Sequence, residues 1–477
     1  MPTLEESFAS YTRRLAEASQ SHLLAFWPEL TDEQRRALIR DLDAIDFARC
    51  QPLIASHVRQ RPTVHVPDHL EPPPSVPAEP RPEQEETYVE ARAVGENALR
   101  AGHVAAFTVA GGQGSRLGFE GPKGAFCVSP IRNAPLFQIF AEGLVRVGQR
   151  WGRRPRWYLM TSDTNHEETV AFFAEHEYWG LSPDEVVFFQ QRQMPAFLPD
   201  GRIALAEKHR VALSPDGHGG SLRALAESGA LEDMRKHGVE AISYFQVDNP
   251  LVRPIDPLFV GLHLVTGSEM SSKAVHKAHD LERVGNFCLD EGRVTVIEYS
   301  DLPDELAHAK NRDGTRRFDA GSVAIHVLSR KFVERLTAPG STTQLPWHRA
   351  DKKVTHVDEH GQTVTPDAPN AVKLEMFVFD AIPLAKNPLV LYAHRSEEFS
   401  PVKNATGDDS PATARRDMIR RAATWLEKAG YTVPRGKDGE PALSLEIAPT
   451  YALDADDLKQ QLTTPPKLAA RESLLLS

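Results

Sequence analysis

Apolar residues recur along the chain in two rhythms. Over residues 1–60 they fall at helical spacing, through Leu15, Leu23, Leu24, Phe26, Trp27, Leu30, Leu38, Ile39, Leu42 and Ile45. The string Thr31-Asp32-Glu33-Gln34 supplies a helix start between two segments, so a small helical preface is expected. Residues 62–82 hold eight prolines, including Pro72-Pro73-Pro74, which disfavours helix and central strand and predicts a linker or surface strap. Helical character returns near 86–99.

From Val104 the rhythm changes to short, nearly all-apolar runs at 104–110, 157–161, 185–189, 241–247, 270–275, 294–299, 322–327 and 388–392. Between them lie helix-period segments such as 136–149, whose Leu136, Phe137, Phe140, Leu144 and Val147 share one face, and 371–382. Such alternation predicts the α/β class, with a mostly parallel sheet covered by helices on both faces. The tail, strand-like at 442–447 and helix-like at 454–462, reads as a small C-terminal domain. The expected organisation is therefore 1–100 helical with the proline segment, 101–400 the main domain, and 401–477 the C-terminal domain.

The length of 477 residues allows a large core, and 41% hydrophobic with 25% charged residues is ordinary for a globular chain. Lys and Arg number 55 against 66 Asp and Glu, a formal charge of −11, so no global basic field collects nucleic acid or anionic lipid. Any anion must be held locally. No apolar run approaches the roughly 18 residues of a membrane span. Cys50, Cys127 and Cys288 are widely spaced and form no CxxC pair. The acidic start, Met1-Pro2-Thr3-Leu4-Glu5-Glu6, lacks the pattern of a secretory signal, and a cytoplasmic setting is expected.

The richest stretch follows the first short run: Val109-Ala110-Gly111-Gly112-Gln113-Gly114-Ser115-Arg116-Leu117-Gly118, then Pro122-Lys123-Gly124. Its glycines let backbone approach an anion closely, and Arg116 and Lys123 add positive charge, so the loop can cradle a polyphosphate. The spacing is GxGxxxG, which departs from the dinucleotide fingerprint, and Lys123 precedes Gly124 rather than Ser or Thr, which departs from Walker A.

The string GGQGSRLG followed by PKG resembles the signature of the eukaryotic-type UDP-sugar pyrophosphorylases, closest to the UDP-N-acetylglucosamine pyrophosphorylases. Matching blocks follow in order: Phe188-Phe189-Gln190-Gln191, Met194-Pro195-Ala196, Pro215-Asp216-Gly217-His218-Gly219-Gly220, Val247-Asp248-Asn249, Val296-Ile297-Glu298-Tyr299-Ser300, Phe318-Asp319-Ala320-Gly321, Lys373-Leu374-Glu375-Met376-Phe377-Val378-Phe379-Asp380 and Ser400-Pro401-Val402-Lys403-Asn404-Ala405. The resemblance implies a Rossmann-like sheet of the nucleotidyltransferase A type. It also implies reaction of UTP with a sugar 1-phosphate, by direct attack on the α-phosphorus with Mg²⁺ as cofactor.

The same resemblance implies roles for individual residues. Val109, Ala110, Gly111 and Gly112 would line uracil and ribose, Gly114, Ser115 and Arg116 the triphosphate, and Lys123 and Lys403 the phosphates. Gln191 would read the base, since a side-chain amide can pair with the uracil edge. Gly217 and His218 would form a second nucleotide turn. Asp248 ends an apolar run, where open α/β sheets bind ligands, and suits Mg²⁺.

At the sugar end Gly285, Glu298, Ser322 and Lys373 match, although His218 and Ser322 stand where asparagines are expected in the acetylglucosamine enzymes. N-acetylglucosamine, N-acetylgalactosamine and glucose 1-phosphates stay open as substrates, with a UDP-glucose or broad UDP-sugar enzyme as the alternative. A nicotinamide dehydrogenase and an inactive nucleotide sensor are the readings from other classes. The spacing of His276 and His279 lacks a nearby third metal ligand, and Cys127 reads as a small packed residue. Oligomeric state is not legible in the sequence.

Overall fold

The computed structural model describes residues 3–62, 67, 69–341 and 344–477. Contacts divide the chain into two interleaved units, residues 1–65, 191–221 and 344–380 in one, and 66–190, 222–343 and 381–477 in the other. This division does not coincide with contiguous boundaries near 100 and 400.

The smaller unit begins with the expected helices. Leu4–Glu17 and Asp32–Asp43 each open on a capping box, at Thr3 and at Thr31 with Gln34, and Phe47–Leu53 follows. Their apolar faces, including Leu15, Leu38 and Leu42, share one core with Phe197, Ile203, Val372 and Leu374. The expected helix at 371–382 is a correction. Ala371–Glu375 is a strand paired antiparallel with His348–Lys352, and a 3-10 turn spans Val378–Leu384. Alternation decides it: Val372 and Leu374 are buried while Lys373 and Glu375 are half-exposed, a period of two that the later apolar residues hide in the sequence.

The larger unit holds a ten-stranded sheet. Its centre is parallel: Ala241–Gln246, Val104–Val109, Trp157–Thr161 and Val186–Gln190 run side by side in that order. Beyond 241–246 the long strand Ala320–Ser329 runs antiparallel, and it in turn pairs with Met270–His276 and Gly285–Asp290. Leu389–Tyr392 lies parallel to 270–276. The central strands are buried on both faces, and Trp157 Nε1 donates to Thr108 Oγ1 at 2.8 Å, satisfying a polar pair inside the sheet. The helix Leu136–Trp151 buries the predicted face of Leu136, Phe137, Phe140, Leu144 and Val147.

Of the proline segment, residues 63–66 and 68 lie outside the described residues. Leu70–Glu71 pairs with 285–290, and Val76 exchanges backbone hydrogen bonds with Val390 and Tyr392, so the described remainder straps the sheet. At the C-terminus Ser444–Ile447 pairs parallel with Ser473–Leu476, beside the helices Pro411–Lys428 and Ala455–Gln461.

Candidate active site

In the larger unit the glycine loop leaves the C-terminal end of the 104–109 strand, the edge where parallel sheets of this kind receive ligands. The loop is closed on itself by Gly114 N–H to Gly121 O at 2.9 Å and Lys123 N–H to Gly112 O at 3.0 Å. Asn165, buried and singled out by nothing in the sequence, pins it from behind. Its Nδ2 donates to Ala110 O at 2.9 Å and Gly112 O at 3.3 Å. Gly118 takes φ +69°, which an L side chain resists, whereas a Cβ on Gly112 would meet nothing within 4 Å. The absence of a side chain at Gly112 is thus not demanded by packing within the protein. Ser115 and Arg116 stand exposed in the turn, and the loop borders a cavity of about 460 Å³ with Gln113, Ser115 and Gly118 in its wall.

Asp248 lies two residues past the 241–246 strand, next to the loop's parent strand in the sheet. Its carboxylate is 3.8 Å from the Lys123 ammonium, with side chains 13% and 15% exposed. The Asp248 carbonyl accepts the Val402 N–H at 2.8 Å, which brings the segment bearing Lys403 to the same turn. Lys403 itself is 3.6 Å from Asp409. Asp248 therefore gathers Lys123 and the 400–403 segment although they are distant in sequence.

A second cluster forms at Gly285, Glu298 and Ser322. A Cβ on Gly285 would sit 3.5 Å from Glu298 Oε1 and 3.7 Å from Ser322 Cβ, so a carboxylate and a hydroxyl-bearing side chain flank a backbone with no side chain. His276, outside these clusters, stacks on Tyr392 and bonds Asp319. Cys127 is half-buried, and burial raises its thiol pKa, which suppresses the nucleophilic thiolate.

In the smaller unit Gln191 is buried and its Nε2 donates to Asp216 Oδ1 at 3.0 Å and to Gly217 O at 2.6 Å. Both amide hydrogens are thereby committed inside the protein, so Gln191 can meet a ligand only through Oε1. This corrects the sequence expectation of a donor and an acceptor together. The cause is Asp216, which is buried and needs a donor. Burial raises its pKa to about 6, against the lowering by Gln191.

Gly217, at φ +85°, passes so close to Met376 that a Cβ would lie 2.4 Å from its carbonyl oxygen. His218 Nδ1 accepts the Val378 N–H at 3.1 Å, and its ring stacks at 5.3 Å on Phe377. Burial, with some repulsion from His348, lowers its pKa to about 4. The imidazole is therefore neutral near pH 7 with its proton on Nε2, a donor. Lys373 is half-buried in the 371–375 strand, and burial lowers its pKa, opposed by Glu375 and aided by Lys352.

The UDPGP family, described as UTP–glucose-1-phosphate uridylyltransferase, matches residues 71–476. The chain belongs to this family. It is 37% identical to the human UDP-N-acetylhexosamine pyrophosphorylase-like protein 1, over 94% of both chains. It is 32% identical to the Arabidopsis thaliana UDP-N-acetylglucosamine diphosphorylase 2, over 96% of this chain and 92% of that one. Among solved structures it is similar to the UDP-N-acetylglucosamine pyrophosphorylase of Trypanosoma brucei, with a TM-score of 0.80, 26% identity, and coverage of 99% and 98%. The family is one of nucleotidyltransferases, and the expected fold is that of its solved members. No helix among the described residues is long and apolar enough to cross a membrane.

Proposed function

We propose that the protein joins UTP to N-acetylglucosamine 1-phosphate, forming UDP-N-acetylglucosamine and pyrophosphate. A phosphate oxygen of the sugar 1-phosphate attacks the α-phosphorus of UTP, one P–O bond forms, and the bond to the bridging oxygen of the leaving pyrophosphate breaks. No protein nucleophile is needed. Catalysis then consists of alignment and of stabilising negative charge as it moves onto the leaving group.

The observation that carries this reading is the Lys123–Asp248 pair beside a glycine loop at the C-terminal edge of the parallel strands. In a chain of net charge −11, a tetra-anionic nucleotide requires such a local cation. Lys123 and Arg116 are assigned to the triphosphate with Gly114 and Ser115, and Lys403 to the phosphates from its own segment. Val109, Ala110, Gly111 and Gly112 are assigned to uracil and ribose, where the bare Gly112 backbone admits close approach. Gln191, through Oε1, and Gly217 with His218 are assigned to the nucleotide as well.

Asp248 suits Mg²⁺: a little-exposed carboxylate oxygen is a hard donor, and the cation would take its remaining ligands from phosphates and water. Bound there, Mg²⁺ would supply charge neutralisation for the leaving pyrophosphate.

Glu298, Ser322, Gly285 and Lys373 are assigned to the sugar phosphate. The relatives' names favour the N-acetyl sugar. A UDP-glucose or broad UDP-sugar activity is the second reading, favoured by His218 and by Ser322, whose short side chain leaves room at the hexose. The unpaired thiols Cys50, Cys127 and Cys288 agree with a cytoplasmic setting. Pyrophosphate release that requires both UTP and a sugar 1-phosphate tests the proposal. Release with UTP alone, or none, contradicts it.

A further inference from the structure

We infer that Asn249 is a positioning residue for phosphoryl transfer, clamping the segment that carries Lys403 onto the turn that carries Asp248. The inference rests on the uridylyltransferase reading above. Asn249 is 4% exposed, and its side-chain hydrogen bonds go to Glu398, Ser400 and Leu251, none of them assigned to substrate. Its Oδ1 accepts the Ser400 N–H at 3.1 Å and the Leu251 N–H at 3.3 Å, and its Nδ2 donates to Glu398 O at 2.6 Å. With the Val402 N–H on Asp248 O, residues 398–402 are fastened to 248–249 at three points. The side-chain amide supplies the donor and the acceptor on separate atoms, as these partners require; a carboxylate would face the Glu398 carbonyl with no hydrogen to give.

The clamp stands on a buried charged base. Glu398, 4% exposed, meets the Lys273 ammonium at 2.6 Å, and Lys273, 2% exposed, also holds Asp256 at 2.7 Å. Lys273 sits where the 270–276 strand shifts register between Ser272 and Ala274, a bulge of the kind that re-aims a side chain. Asp256 is fixed in turn as the N-cap of Pro257–Val265. On the other flank Ser400 Oγ donates to Asp417 at 2.8 Å. The backbone three residues before Lys403 is therefore rigidly placed, and Asn249 sets that placement relative to Asp248. A misplacement on the order of 1 Å can cost about a hundredfold in rate when alignment carries the reaction.

The test combines kinetics with amide hydrogen exchange on Asn249→Ala, Lys403→Ala, the double variant and Asn249→Asp. In Asn249→Ala, Ser400 and Val402 exchange faster, kcat falls about tenfold or more, and KM for UTP stays within about twofold. The double variant is no slower than Lys403→Ala, because both changes remove the same interaction. Asn249→Asp keeps the acceptor of the Ser400 N–H but sets a carboxylate against the Glu398 carbonyl, so Val402 exchanges faster there too, and it reads the clamp if Asn249→Ala does not fold. Unchanged exchange at Ser400 and Val402, or multiplicative losses in the double variant, overturns the inference and leaves the uridylyltransferase reading standing. An unsubstituted protein that folds yet releases no pyrophosphate overturns that reading, and the positioning role with it.

Discussion

The Lys123 ammonium and the Asp248 carboxylate, 3.8 Å apart and each largely shielded from water, hold one another's charge. Each is also the kind of group a nucleotide complex requires, a cation for phosphate and a hard oxygen for a divalent metal. In the proposed complex phosphate would pair with Lys123 and a divalent metal with Asp248, so neither of these little-exposed charges is left without a partner.

Lys123→Ala is therefore expected to lower kcat by about a hundredfold or more while KM for UTP changes by much less, because the charge counts most as the phosphoryl group transfers. Steady-state kinetics at saturating sugar phosphate reads this directly. A turnover number like that of the unsubstituted protein would remove Lys123 from the chemistry.

Asp248→Asn keeps the shape of the side chain and removes its charge. Activity and the response to Mg²⁺ should fall together, and Mg²⁺-dependent tightening of UTP binding, followed by calorimetry, should weaken. Normal metal dependence in this variant would exclude Asp248 as a ligand.

Gly112 and Gly118 separate ligand approach from backbone strain. Gly112→Ala should leave stability within about 0.5 kcal/mol, since its Cβ has open space, yet raise KM for UTP at least about tenfold. Gly118→Ala should instead cost about 1 kcal/mol of stability, because φ +69° is strained for an L side chain. Denaturant unfolding beside kinetics distinguishes the two.

The smaller unit carries a pH signature. Asp216, raised to about 6 from 3.8, holds a proton in the native state that the unfolded chain releases, so its contribution to stability falls as pH rises from about 4 to 6. His218, lowered to about 4 from 6.5, has the opposite sign: its contribution rises with pH from about 4 to 6.5. In the unsubstituted protein the two oppose one another. Removing the first, as Asp216→Asn, should make the stability difference between variant and parent grow with pH across 4 to 6, at up to about 1.4 kcal/mol per pH unit. A flat difference in unfolding free energy would show that Asp216 titrates normally.

The parallel centre of the sheet was legible because both of its faces are covered, which leaves short unbroken apolar runs such as 104–109 and 157–161. The glycine loop was legible for the same local reason. What the sequence concealed depends on long-range contact. The strand Ala371–Glu375 reads as a helix until its partner His348–Lys352 is known. Asn165 carries no mark in the sequence: it precedes the 166–175 helix without a side-chain cap bond and instead holds the Ala110 and Gly112 carbonyls. Asn249 is one asparagine beside a carboxylate until Ser400 and Glu398 are brought to it. The commitment of the Gln191 amide to Asp216 is likewise invisible without burial, because only a buried carboxyl group demands that donor.

The central claim is tested most directly by pyrophosphate release with UTP and Mg²⁺, comparing N-acetylglucosamine, N-acetylgalactosamine and glucose 1-phosphates as acceptors. The account predicts release that requires the sugar phosphate, fastest with N-acetylglucosamine 1-phosphate. Preference for glucose 1-phosphate would contradict the assigned sugar while keeping the chemistry at Lys123 and Asp248, and no release with any of the three would contradict the account itself.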